Sequence, residues 1–478
     1  MTSERSTTIP ETTNPTRTRI RSNDPSLKKL HLVYPPEEYF GEDDFEGFLN
    51  DLKNNTVIHY VLFERRFVRG ISPSQYEQVL HAVALLTNLV EIEIWSVKVP
   101  LSTLCAAVKN APKLSRIGLG MVTLTETTSC ETLSSHPSLV HFCLSDFRFL
   151  VDEDDKNMDS LWEALSTCPK LLNVEVCSNQ FAENPWTSAG LAKLACCGSV
   201  NFMTLRRLSL KGSDIEAFAQ LIGQCPALNI LNLRENKLGD DGCLSIARAV
   251  ANSQIMELDL RDNQLSEEGT QSFLPTLLTP DCRLERLSLS WNPIRDVGAR
   301  LLSEVLEDET RAPHLIHLDL ARTQITDVGC NYLAKALAIN KTLQSLGLSH
   351  NPMTNKAYIA FGSVLRHDNN TLESINLQCD RKQIDESGCE ALLEMVEDNY
   401  TLTTVSTNLG SSYESKSYKF ACSSRIRMFL RLNHAGRQKL LDQRGTKADW
   451  VQAIAAVQDN LFAIHYLILA NPSLCQTE

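Results

Sequence analysis

Four histidines, His59, His141, His317 and His350, are the residues of this 478-residue chain that first suggest proton transfer, because an imidazole titrates near neutral pH and can act as base, acid or ligand. They lie in different parts of the chain, some far apart, and no nucleophile recurs beside them. No phosphate-cradling glycine loop, H-E-x-x-H helix, G-x-S-x-G elbow or kinase signature occurs. The fifteen cysteines include no C-x-x-C pair, which removes the usual zinc and redox spacings. Cys243, Cys330 and Cys389 each follow a glycine at the same place in a recurring pattern, as small buried side chains would. The acidic run Asp152-Glu-Asp-Asp155 lacks the alternating oxygen donors and turning glycine of a calcium loop and reads as a solvated loop. No catalytic residue, metal or cofactor is expected, and the chain reads as a non-enzyme.

Recognition chemistry is better represented. Charged, aromatic and imidazole side chains flank or separate closely spaced apolar pairs at Glu91, Glu93 and Trp95, at Arg234, at Asp259 and Arg261, at Trp291, at His317, Asp319 and Arg322, and at His350. Apolar residues two apart in an extended segment share one face, and the residues between them share the other. These eleven residues are therefore expected on solvent-facing strand positions. Tryptophans exposed among charges are typical interface anchors, so the candidate site is a ladder of mixed side chains that holds a protein partner.

The elements that must position this ladder come from a repeated unit, L-x-x-L-x-L-x-x-N-x-L-x-x-x-G-x-x-x-L. Its copies open at Leu228, Ile255, Leu284, Leu315 and Leu343, at intervals of 27 to 31 residues. L-x-L predicts a short strand with both leucines buried. Asn236, Asn263, Asn292 and Asn351, with Thr323 in the fourth copy, stand where the chain leaves the strand. A side-chain amide there can pair backbone groups that a tight coil leaves unmatched. Apolar residues then return at helical spacing, as at Ile246 and Val250. One strand and one helix cannot bury a core alone, so neighbouring copies must stack.

Repeats of this length, with a G-x-x-x-L helix at Gly242, Gly269, Gly298, Gly329 and Gly388, resemble the ribonuclease-inhibitor-like subfamily of leucine-rich-repeat proteins. The resemblance implies an α/β solenoid shaped as a horseshoe, with a parallel strand ladder on its concave side and helices on its convex side. It also implies that concave tryptophans and acidic residues face partners, and Trp291 and Asp259 match such positions. The Ran-activating GTPase activators are built from the same repeats, which makes that activity the alternative function. Those proteins carry an acidic stretch after the array, whereas this chain turns basic after Gly410. An actin-capping or ubiquitin-ligase adaptor would need an N-terminal helical module that residues 1–26 do not provide.

Four segments are expected. Residues 1–26, rich in Thr, Ser, Arg and Pro, form a disordered lead. Residues 27–204 hold degenerate repeats opening at Leu27, Val57, Leu89, Leu114, Leu139 and Leu171, and two of these units, about 25 residues long, leave little room for a full helix. Residues 205–409 hold the regular repeats, from Leu205-Arg-Arg-Leu-Ser-Leu210 to a last strand at Leu402, which brings the expected strands to fourteen. Residues 410–478 form a helical C-terminal cap. Its first helix lies around Arg425–Leu432; its second runs from Trp450 to Ile468 behind a Thr446–Asp449 start box. The segment Leu430-Arg-Leu-Asn-His-Ala-Gly-Arg437, with Trp450 and Asn471-Pro-Ser-Leu-Cys475, resembles the tail closing many uncharacterised leucine-rich-repeat proteins of microbial eukaryotes.

Net charge is -12, but residues 1–29 carry +3 and residues 410–478 carry +4, leaving -19 for the array. An acidic array favours a basic protein partner and disfavours nucleic acid. N-x-T sequons at Asn54, Asn340, Asn369 and Asn399 each precede the first apolar residue of a repeat and read as helix-to-strand junctions. No apolar run approaches the roughly 20 residues of a membrane helix, and the first thirty residues lack the apolar core of a secretory signal. A monomer in the cytosol or nucleus, without membrane contact, is expected.

Overall fold

Two leucines flanking one residue bury one face of a strand, but a strand of three to five residues is too short to stand alone, so each must pair with the next repeat's. The computed structural model describes residues 15–470 except 41–43, 110, 127–129, 150–157, 179–189, 191–193, 195–197, 211–212, 224, 309, 312, 380–383, 409–417 and 443. The chain divides into two compact units, Met1–Ser209 with Gln224–Leu228, and Leu210–Gly223 with Asn229–Glu478. The Asp152–Asp155 run, the joint around Gly410 and Asn471-Pro472 lie outside the described residues.

In the first unit, seven ladder strands among the described residues pair in parallel and in chain order: Lys29–Leu32, Tyr60–Glu64, Glu91–Trp95, Arg116–Gly120, His141–Ser145, Asn173–Cys177 and Phe202–Arg206. The short repeats replace the full helix with an eight-residue helix, Leu101–Val108, and a single 3-10 turn, Glu131–Leu133. They also add a second small sheet of Lys98–Pro100, Thr123–Glu126 and Arg148–Phe149. Its signal is the apolar pairs Val97/Val99 and Val122/Leu124 just after each ladder strand, all buried; the leucine pattern passes over them.

Two repeat openings differ from expectation in register. The second is Ile58-x-x-Val61-x-Phe63, with all three side chains fully buried, rather than the line from Val57. Asn55 sets this register by accepting from the Val57 and Ile58 N–H groups at 2.9 and 3.0 Å, so the junction amide is Asn55 and not Asn54. The seventh is Val200-x-x-Met203-x-Leu205, which overlaps the expected line from Leu205 and has the same spacing. Asn201 and Phe202 both donate to the Leu172 carbonyl, as each strand entry does to its neighbour. The earlier line therefore takes the strand, and the later one begins in a left-handed turn at Arg207 and Ser209.

Residues 15–26 depart from the expected disordered lead. Pro15–Arg21 is a helix with Ile20 fully buried. Arg17 pairs with Asp44 and Asp51, and Arg21 with Asp51, while Asn55 Nδ2 holds the Ile20 carbonyl at 2.7 Å. Low apolar content understated the segment because one isoleucine and two arginines suffice to tie it down.

In the second unit seven strands, Ile230–Asn232, Glu257–Asp259, Arg286–Ser288, His317–Asp319, Ser345–Gly347, Ser374–Asn376 and Thr404–Ser406, stack in register, so that Leu231, Leu258, Leu287, Leu318, Leu346, Ile375 and Val405 form one row. The asparagines form a ladder. Asn292 Oδ1 accepts from the Asn263 and Leu265 N–H groups, and its Nδ2 donates to the Leu260 and Leu289 carbonyls, all within 2.9 to 3.1 Å. Thr323 fills the same place by donating its hydroxyl to the Leu320 carbonyl at 2.7 Å. At the helix starts, Asp240 accepts from the Ser266 N–H and hydroxyl of the next repeat, each at 2.7 Å, and Asp296 does the same for Thr326. The repeat glycine makes room for this carboxylate: a Cβ at Gly269 would collide with Asp240. Cys243, Cys330 and Cys389, one residue further on, are fully buried.

Asn340, Asn369 and Asn399 are junctions as expected, each buried and each turning its Nδ2 onto a carbonyl of the preceding repeat. Asn433 continues the row, donating to the Asn399 and Leu402 carbonyls at 2.9 and 2.7 Å. The helix Tyr418–His434 thus occupies the place of one more repeat helix. Arg437 follows, fully buried, with Nη2 on the Val396 and Asn399 carbonyls and its guanidinium 4.5 and 4.8 Å from the Tyr400 and Phe429 rings. Thr446 and Asp449 form the expected start box. The single helix expected from Trp450 to Ile468 is instead two, Lys447–Ala456 and Leu461–Ala470. The break falls at Asn460, whose side chain accepts from the Ala463 N–H and starts the second helix. Trp450, Ala453 and Val457 turn inward, while Ile454 is 36% exposed and lies off the buried face. No helix among the described residues is long and apolar enough to cross a membrane.

Candidate functional site

The expected site residues fall in both units. In the first, Glu91, Glu93 and Trp95 alternate with buried Ile92 and Ile94 and are half-buried on the solvent face. They are heavily engaged with their own neighbours. Glu93 Oε2 accepts from the Tyr60 hydroxyl at 3.0 Å and from the Trp95 indole at 3.2 Å, while Arg116 pairs with Glu91 at 2.8 Å. The Trp95 ring lies over Gly120, where a Cβ would strike it. Burial raises the Glu91 carboxyl above its ordinary value against the opposing charge of Arg116. Beyond the strands, a groove of about 810 Å³ opens between the second sheet and nearby helices, with Arg65, Arg69, Lys98 and Arg148 along it.

In the second unit Asp259 is buried and clamped. Arg261 grips its carboxylate with Nε at 3.0 and 2.9 Å and Nη2 at 2.6 Å, and the Arg261 N–H donates to it at 3.0 Å. Asp319 accepts from the Ala321 N–H at 3.2 Å, and Asn232 and Asn376 make the same turn in their own repeats. An oxygen at this position therefore shapes the exit from the strand. Arg234 pairs with Glu235 at 2.8 Å. His317 sits between Arg286 and Ser345 across the ladder. Burial and the Arg286 charge hold its imidazole below the ordinary pKa, opposed by Asp319 and Glu257.

Trp291 differs from these. It is 50% exposed and stands at φ +63°, a conformation uncommon for a bulky residue. Its N–H donates to the Ala321 carbonyl at 2.8 Å, and the Arg322 guanidinium lies 4.2 Å from its ring centre. The same left-handed position recurs just before each ladder Asn or Thr, at Glu235, Asp262, Trp291, Arg322 and His350. Each donates its backbone N–H to the next repeat. The structure thus aligns one continuous row in which Trp291, Arg322 and His350 are consecutive. Asp262 belongs to this row although the apolar alternation does not point to it; its signal is its place immediately before Asn263.

A family profile described as "Leucine Rich repeat" matches residues 224–247, 282–303 and 311–334. With the strand-and-helix repeats above, this makes the chain a leucine-rich-repeat protein. It is 24% identical over 382 residues to NACHT, LRR and PYD domains-containing protein 5 of Homo sapiens, covering 67% of this chain and 31% of that protein. It is 26% identical over 320 residues to the ribonuclease inhibitor of Mus musculus, covering 58% of this chain and 67% of that one. The chain thus spans less than a third of the length of the human relative. Among solved structures, the crystal structure of the Rad7 and Elc1 complex in yeast aligns at TM-score 0.41 and 15% identity, covering 75% of this chain and 79% of that chain.

Proposed function

We propose that the protein is a non-catalytic scaffold of the ribonuclease-inhibitor-like kind, binding a protein partner on the solvent face of its strand ladder, the face that the repeat pattern marks as concave. The observation that carries this reading is the exposed Trp291, fixed in a left-handed turn with Arg322 stacked on its ring. A rigid aromatic beside a cation loses little conformational entropy on binding and offers both apolar area and charge. The ribonuclease inhibitors that the chain resembles are named for a protein target, and the -19 balance of residues 30–409 favours a basic partner. The same reading takes the protein as a monomer of the cytosol or nucleus, with Glu91, Glu93 and Trp95 as a secondary contact region.

Affinity capture from lysate tests it, with the wild type against a Trp291→Ala, Arg322→Ala double variant. Asp259 is left intact because its clamp on Arg261 shapes the strand exit. At least one protein should be recovered by the wild type and fall tenfold or more with the variant. Equal recovery of every captured protein would overturn the site.

A further inference from the structure

Three donor atoms of different chemistry converge on the strand face of the first unit. His141 and Cys143 are two residues apart on one strand and so share a face. On the neighbouring strand Asn173 stands opposite His141, and Glu175 opposite Cys143. An imidazole nitrogen, the Cys143 Sγ and a Glu175 carboxylate oxygen all lie within 4.8 Å of one another. We propose that His141, Cys143 and Glu175 form a site for a single divalent cation of the zinc class, with one coordination position left to water.

The donor set suits that ion. Zinc takes imidazole nitrogen, thiolate and carboxylate oxygen at about 2.0 to 2.3 Å, which places tetrahedral neighbours roughly 3.3 to 3.7 Å apart. His141 Nε2 and Glu175 Oε1 are already 3.6 Å apart, and the Cys143 sulfur lies within 4.8 Å of a donor atom of each. Nε2 is buried with no hydrogen-bond partner. Burial and the Arg116 charge hold the His141 imidazole below its ordinary pKa, with Glu175 opposing. Nδ1 lies 3.4 Å from the Asn173 amide. Half a turn of that amide brings its oxygen onto Nδ1–H, which fixes the tautomer that leaves Nε2 free for a metal. A dication with one thiolate and one carboxylate is also electrically neutral, which suits a half-buried site beside the Arg116–Glu91 pair.

The same three residue types could make a thiol nucleophile with its base, but the geometry runs against it. Nε2 faces Glu175 and Nδ1 faces Asn173, so neither nitrogen is placed to take the thiol proton. Burial and the nearby Glu175 charge push Cys143 up to about 12, whereas a reactive cysteine needs a lowered value. When a cation enters, the S–H bond breaks, its proton leaves to solvent, and the sulfur lone pair forms the S–metal bond without any change of oxidation state.

The test is cobalt substitution in the full chain stripped with a chelator. One equivalent of Co²⁺ should give a thiolate-to-cobalt charge-transfer band with release of one proton, and Zn²⁺ should abolish the band. Cys143→Ser should remove the band, His141→Gln and Glu175→Gln should each weaken Zn²⁺ at least tenfold in chelator competition, and Cys177→Ser should leave both readouts unchanged. Absence of the band in wild-type protein at equimolar Co²⁺ overturns the proposal whatever the variants do. So does an undiminished band in Cys143→Ser.

Discussion

Trp291 and Asp259 look alike in the sequence, both polar-face residues of the same repeat pattern, and the structure separates them. Asp259 is 6% exposed and gripped by Arg261, while Trp291 is half exposed with Arg322 over its ring. Alternation tells which face a side chain occupies; whether it is spent on its neighbours depends on the partner two residues along or one repeat away. The ladder asparagines were legible because their spacing is rigid and their chemistry has one use. Asn292→Ala should therefore destabilise the protein by at least about 2 kcal/mol in urea unfolding, since it orphans buried N–H and C=O groups of two repeats. Trp291→Ala, whose ring is exposed, should change the same measurement by less than about 1 kcal/mol. Buried histidines set a pH dependence. His136 is 3% exposed, and burial lowers its pKa, as it does for His141 and His317. The unfolded chain then binds more protons than the folded one below the ordinary histidine pKa near 6.5, so stability should be present above that pH and be lost as pH falls towards 5. His136→Asn should flatten the slope of unfolding free energy between about pH 7 and 5.

Periodicity locates an element where one hydrophobic line competes with no other. The strands from Leu228 to Leu402 fall where L-x-L puts them, whereas Val200-x-x-Met203-x-Leu205 and Leu205-x-x-Leu208-x-Leu210 share a residue, and periodicity cannot choose between two lines of equal spacing. The helix break at Asn460 was hidden for a related reason, since the apolar stripe continues across it while a side-chain cap restarts the helix. The glycine of the repeat is a packing requirement for the previous repeat's aspartate. Gly269→Ala should displace Asp240 from Ser266 and cost about 1 to 3 kcal/mol in thermal or urea unfolding. Combined with Asp240→Ala, the loss should be less than the two single losses added, because both remove one interaction.

At the scale of the whole molecule, the tail of the second unit continues the bonding pattern of the repeats. Asn433 extends the asparagine row and Arg437 closes onto the Val396 and Asn399 carbonyls, so removing residues 410–478 should expose the last repeat and give aggregation on size-exclusion chromatography. A monodisperse product with an unchanged melt would contradict the capping role. The function proposed for the array rests on the exposed Trp291–Arg322 pair, and the direct measurement is calorimetric affinity for a captured partner, using wild type and the Trp291→Ala, Arg322→Ala variant with melting temperatures matched. Loss of an anchor worth about 2 kcal/mol or more predicts at least a thirtyfold weaker dissociation constant. Affinities within twofold of each other would contradict the claim that this face holds the partner.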